Sequence, residues 1–143
     1  MSGRFKEIAE WFEALSPESL ATIGEVYDEQ SLFRDPFNDI QGIEKIRTIF
    51  QHMFDALEAP RFKVTRIIEQ GLESFMIWDF TFVLKGKQYQ IAGCTHFVLD
   101  PVSLRVTLHR DYWDAAQELY EKLPLLGWLM RGLRRKLSLF PQR

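Results

Sequence analysis

Three carboxylates and one imidazole stand where they could move protons: Asp35 in Asp35-Pro36, Asp79 in Trp78-Asp79-Phe80, and His109 and Asp111 in a polar row. A carboxyl group serves as a general base when ionised and as a general acid when burial or a neighbouring charge keeps its proton on, so two acids in unlike surroundings can divide the two tasks. A histidine beside them titrates near neutrality and can join either side. Each candidate also has a plainer reading. Asp-Pro is ordinary turn chemistry. Asp79 shares a strand face with apolar Phe75, Ile77 and Val83, so it needs a partner if buried and none if it sits at a surface. The row Arg105, Thr107, His109 and Asp111 alternates with Leu104, Val106 and Leu108. Simple alternation sends such a row to solvent, whereas a sheet face that lines a pocket can itself be polar.

Metal chemistry is not expected. The three histidines and the single cysteine, Cys94, have no metal-ligand spacing, and no cofactor motif is present. The sequence is rich in aromatic residues at 14%, with 12 Phe among 143 residues. Trp11, Phe33, Phe54, Phe75, Ile77, Trp78, Thr95, Phe97 and Trp113 are the candidate lining of a pocket for a small hydrophobic molecule. For any one of the aromatics, core packing is the default alternative. A net charge of -2 and the absence of an Arg-rich or Gly-rich tract argue against nucleic acid as a partner. One cysteine closes no internal disulfide, and the Met-Ser-Gly-Arg-Phe-Lys-Glu start has no apolar stretch, which together predict a cytoplasmic chain. No run of about 18 apolar residues exists to span a bilayer.

The elements that must position these groups follow from periodicity. Phe5, Ile8, Phe12 and Leu15 predict an amphipathic helix over residues 4 to 15, and Ser16-Pro17-Glu18 opens a second one. Residues 31 to 37 predict a short strand ended by Asp35-Pro36. Ile43, Ile46, Ile49, Phe50, Met53, Phe54 and Leu57 define the clearest helix, from Gly42 to Leu57, closed by Pro60. The period then changes to that of strands over 61 to 70, 73 to 84, 88 to 99 and 103 to 113, joined by short turns such as Lys85-Gly86-Lys87. Helices followed by a meander predict an α+β domain with the helices on one face of a curved antiparallel sheet. Met76, Trp78, Phe80, Phe82 and Leu84 beside Phe75, Ile77 and Val83 make one strand apolar on both faces, which predicts that the outer sheet face is covered, most economically by a homodimer partner.

From Ala115 onward the pattern returns to helix, interrupted by Pro124 and Gly127. Leu125, Leu126, Trp128, Leu129, Leu133 and Leu137 with Arg131, Arg134, Arg135 and Lys136 form a basic amphipathic tail. Such a tail suits an anionic membrane surface or a partner, or a helix lapping over the pocket mouth.

Two stretches resemble a known group. Tyr27-Asp28-Glu29-Gln30-Ser31-Leu32-Phe33-Arg34-Asp35-Pro36-Phe37 with Gly42-Ile43-Glu44-Lys45-Ile46 looks like the acid-rich turn, Asp-Pro strand and Gly-initiated helix of the SnoaL-like branch of the nuclear transport factor 2 and ketosteroid isomerase superfamily. His109-Arg110-Asp111-Tyr112-Trp113-Asp114 is similar to the strand ending of limonene epoxide hydrolases. The resemblance covers residues 4 to about 114 and implies one domain over 1 to 143, a cystatin-like cone with core 4 to 114 and a helical extension 115 to 143. It would aim Asp35, Asp79, His109 and Asp111 into one apolar cavity. By similarity to ketosteroid isomerase, Asp35 sits where that family keeps its carboxylate base; the tyrosine donor falls near Trp11 or Phe12 and the acidic donor near Thr95. By similarity to the epoxide hydrolases, Asp111 and Asp79 match the two catalytic carboxylates. The arginine expected two residues before the latter is Ile77, and the water-holding tyrosine and asparagine align with Phe33 and Asp35. The implied function is acid/base chemistry of isomerase, epoxide hydrolase or cyclase type on a hydrophobic substrate; the alternative is a non-catalytic binding or dimerisation module.

Overall fold

The computed structural model describes residues 3 to 113. The chain begins with helix α1, Arg4–Glu13, whose Phe5, Ile8, Ala9 and Phe12 are buried, the stripe that their spacing requires. A 3-10 helix follows over Glu18–Glu25, and Ser16 and Ser19 exchange side-chain to backbone hydrogen bonds at its start. Strand β1, Tyr27–Arg34, and the short β2, Asp39–Gln41, form an antiparallel pair across the turn at Asp35-Pro36-Phe37-Asn38. Gly42 then takes φ 109, which a side-chain-bearing residue rarely adopts, and turns the chain into helix α2, Ile43–Ala56. Ile46, Ile49, Phe50 and Met53 form its buried face.

Four strands complete the chain: β3 over Glu58–Gln70, β4 over Glu73–Leu84, β5 over Lys87–Leu99 and β6 over Val106–Tyr112. Between β4 and β5, Lys85 and Gly86 both have positive φ, the two-residue turn that suits the twist of a hairpin. The sheet order is β2-β1-β6-β5-β4-β3. All neighbours are antiparallel except β1 and β6, which run parallel. The helices and the meander thus form the expected α+β cone, and the parallel pairing adds what periodicity did not give. It sets the C-terminal ends of β1 and β6 side by side, where Asp35 and Asp111 emerge.

The core lies between the helices and the inner sheet face. Strand β4 alternates strictly, with Ser74, Met76, Trp78, Phe80, Phe82 and Leu84 buried and Glu73, Phe75 and Ile77 exposed. Each large apolar side chain withdrawn from water in this way stabilises the fold by about 1.5–3 kcal/mol. Among the described residues, no helix is long and apolar enough to cross a membrane. The tail from Ala115, its basic helical pattern and its expected surface contacts lie outside the described residues.

Candidate functional site

The site is built at the ends of β1 and β6. Asp35 opens a tight turn in which its backbone N–H donates to the carbonyl of Asn38 at 2.9 Å. Its Oδ1 accepts from the backbone N–H groups of Phe37 (2.8 Å) and Asn38 (2.7 Å), and the Asn38 amide reaches both of its carboxyl oxygens, at 3.3 and 3.4 Å. The Asp-Pro motif is therefore turn chemistry. It also places a carboxyl group in the cavity wall. Burial, and behind it the charge of Asp111, pushes Asp35 from 3.8 up to about 6 against these hydrogen bonds.

Asp111 arrives from β6. The register aligns Phe97 with His109 and Thr95 with Asp111 across β5 and β6, and Phe33 with His109 across β1 and β6. These side chains share the inner face. His109 is only 4% exposed, ringed by Phe12, Phe33, Phe97 and Tyr27 with centroids 4.4 to 5.9 Å away. Simple alternation on β6 would send His109 and Asp111 to solvent. The register shifts beside Val106 instead let Val106 and His109, three residues apart, both be buried.

A line of hydrogen bonds joins the polar groups. Trp78 Nε1 donates to Thr95 Oγ1 at 2.8 Å, and the Thr95 hydroxyl donates to Asp111 Oδ1 at 2.5 Å. His109 Nε2 lies 2.8 Å from the same Oδ1, and His109 Nδ1 lies 2.6 Å from the Tyr27 hydroxyl. Tyr27 is fully buried, and burial, followed by the charge of Asp111, holds its phenol well above the ordinary range.

Asp35, Asn38 and Asp111 are the polar groups in the wall of a cavity of about 100 Å³, otherwise lined by apolar side chains that include Phe33, Phe50, Phe62, Trp78, Phe80 and Trp113. A smaller space of about 30 Å³ continues inward past Thr95, Phe97 and His109. Outside, an open cleft bounded by Arg34, Arg110 and Tyr112 meets the same Asp35, Asp111 and Trp113. The two acids thus stand between an apolar interior and the solvent.

The structure brings together Asp35, Asp111 and His109, with Phe33, Trp78, Thr95, Phe97 and Trp113 around them. It does not bring Asp79, Phe75 or Ile77. Strict alternation on β4 gives the inner face to the even-numbered residues, so Asp79 points to the outer face, aligned with Lys63 and Ala92. Phe75 and Ile77 are 43% and 38% exposed there. A strand apolar on both faces carries no sign of which face is inside. Trp11 and Phe54 pack against the core and line neither cavity. Sequence reasoning missed Tyr27 and Asn38. Tyr27 stands in the sequence only as the first residue of the acid-rich stretch, and Asn38 lies beyond the expected strand; its position three residues after Asp35 is the available signal.

Helices on one face of an open six-stranded sheet, with this cavity between the layers, define an α+β cone of the nuclear transport factor 2 kind. The chain belongs to the SnoaL-like domain family, whose profile matches residues 8–101. No curated protein matches the sequence significantly. Among solved structures, an LEH-like epoxide hydrolase from Mycobacterium tuberculosis is similar with a TM-score of 0.72 at 20% identity, over 92% of this chain and 96% of that one. A putative SnoaL-like polyketide cyclase from Shewanella putrefaciens gives 0.71 at 21% identity, over 85% and 96%. A hypothetical protein with a ketosteroid isomerase-like fold from Catenulispora acidiphila, in complex with trimethylamine, gives 0.69 at 16% identity, over 85% and 93%. At these identities the likeness is one of fold.

Proposed function

We propose that this protein is an acid–base enzyme that relocates a proton on a small, mostly apolar substrate bearing a carbonyl oxygen. One observation carries the reading: Asp35 and Asp111 line the same apolar cavity, and Asp35 keeps its proton up to about pH 6. Asp111, as carboxylate, takes the proton from the carbon beside the carbonyl. Asp35, as carboxylic acid, gives its proton to the oxygen as the C–H electron pair becomes the enol double bond. Reprotonation at another carbon isomerises the substrate; attack of the enol carbon on a second carbonyl closes a ring. Each positioned proton transfer accelerates such a step by roughly 10²–10⁴-fold. The apolar wall favours a hydrophobic skeleton, and a volume of about 100 Å³ favours a small one.

The test is incubation of the protein in D2O with small ketones and 1,3-dicarbonyl compounds, and in 18O-water with terpene epoxides, read by mass spectrometry. Deuterium uptake that falls at least roughly 100-fold in Asp111→Asn supports the proposal. Label from 18O-water alone would replace it with epoxide opening by the same pair. Binding of these compounds with no exchange would leave a non-catalytic binding module. We also propose a homodimer through the outer sheet face, where Ile68, Phe75, Ile77 and Tyr112 are exposed together, and a cytoplasmic setting, which the lone Cys94 fits.

A further inference from the structure

The hydrogens along the line from Trp78 to Tyr27 can be placed by chemistry. An indole N–H only donates, so Thr95 accepts from Trp78 and spends its own hydrogen on Asp111 Oδ1. An ionised carboxylate only accepts, so the proton of His109 that faces Asp111 must sit on Nε2. In the neutral ring Nδ1 is then a bare acceptor, and the partner 2.6 Å away is the hydroxyl of Tyr27, whose deep burial keeps the phenol neutral and able to donate. Two arms, Trp78–Thr95 and Tyr27–His109, therefore converge on one oxygen atom. Oδ1 of Asp111 receives both hydrogen bonds, and Oδ2 receives none from the described residues.

We infer that Tyr27 is a positioning residue for Asp111: through His109 it fixes the carboxylate so that Oδ1 is held and Oδ2 is the atom presented to the substrate. This rests on the reading of Asp111 as the base. It assigns His109 a different part from that of a proton donor or acceptor to substrate, since the ring is enclosed by aromatic side chains and both its nitrogens are engaged. Tyr27 lies 82 residues from His109 in sequence and is absent from both cavity walls, so its hydroxyl reaches Asp111 only through the imidazole. A buried phenol with no partner would cost the fold; this one is spent on a single orientation of one ring. Fixing a reacting group by a locked neighbour raises the share of productive geometry without touching substrate.

The test reads the ring and the carboxylate directly and needs no substrate. In 15N- and 13C-labelled protein at neutral pH, the His109 signals should show a protonated Nε2 and a bare, hydrogen-bonded Nδ1. Tyr27→Phe should shift Nδ1, move the Asp111 carboxyl signal and speed solvent exchange of the Nε2 hydrogen roughly three- to tenfold, the equivalent of one lost hydrogen bond. Phe12→Leu, which thins the packing around the same ring, should lower Tm and leave these signals in place. If Tyr27→Phe does not fold, Thr95→Val attacks the other arm and should move the Asp111 carboxyl signal while His109 keeps its tautomer. A wild-type ring protonated on Nδ1, or an Asp111 signal unmoved by a folded Tyr27→Phe, would overturn the inference. Neither result depends on turnover, so the positioning claim and the claim of catalysis fail separately.

Discussion

The indole of Trp78 lies against Gly93 on the neighbouring strand, so close that a Cβ at position 93 would meet Cη2 at 2.6 Å and Cζ2 at 2.9 Å, with the Cβ of Trp113 at 3.0 Å. The indole cannot swing aside freely, because Phe62 packs edge-on to it at 5.6 Å and its N–H is bonded to Thr95. Absence of a side chain at 93 is thus a condition for the hydrogen bond that reaches Asp111. Gly93→Ala should destabilise the fold by about 1–3 kcal/mol, the usual cost of overpacking, and shift the tryptophan emission. Urea unfolding followed by fluorescence checks both; an unchanged midpoint would show that the indole has room to move.

Stability should depend on pH through Asp35. Its folded value of about 6 lies above the ordinary 3.8, so between those values the folded state binds more protons than the unfolded one. The contribution is fully present below about pH 4 and is lost as pH rises through 6. Asn at this position cannot ionise and keeps an oxygen for the Phe37 and Asn38 amides. Asp35→Asn should therefore flatten the fall in Tm between pH 4 and 7. A fall equally steep in the variant would place its cause elsewhere.

Asp79 provides a contrast. It lies on the outer face, aligned with Lys63 and Ala92, so Asp79→Asn should change turnover less than about twofold, while Asp111→Asn should lower it at least roughly 100-fold. Steady-state assays of both variants on one substrate decide the matter. Equal losses would return Asp79 to the site.

The exposed outer-face cluster makes its own prediction. Phe75 stacks on His96 at 4.8 Å between strands and remains 43% exposed, with Ile77 and Ile68 beside it. A buried charge without a partner is costly, so Phe75→Glu should turn a dimer into a monomer with the fold intact. Sedimentation equilibrium with circular dichroism reports both; a wild-type monomer would contradict the proposed interface.

Much of the fold was legible because the chain's periodicities are strong. The α2 stripe from Ile43 to Leu57 and the strand β4 from Glu73 to Leu84 were placed within a residue at each end. What periodicity could not supply was pairing between distant segments. The contact between β1 and β6 is parallel and joins residues about 80 apart, so no turn announces it. The site was half legible for the same reason. Asp35 stood out in its Asp-Pro motif and Asp111 in the polar row and its resemblance to a known strand ending, but the bond between Tyr27 and His109 exists only through that pairing. On β6 alternation left the facing of His109 open, because the register shifts that bury it are not written in the period, and on β4 two apolar faces hid the outward aim of Asp79.

The central claim is that Asp35 shares one apolar wall with Asp111 and that burial, with the neighbouring charge, holds its proton on up to about pH 6. The direct measurement is a pH titration of the Asp35 carboxyl carbon by 13C NMR in the wild type and in Asp111→Asn. The account predicts a midpoint of about 6 in the wild type, and a lower one in the variant that still exceeds 3.8, because burial outweighs the lost charge. A wild-type midpoint near 3.8, unmoved by Asp111→Asn, would contradict it: Asp35 would then lose its proton well below pH 6, and the cavity wall would hold no acid of raised pKa to give one.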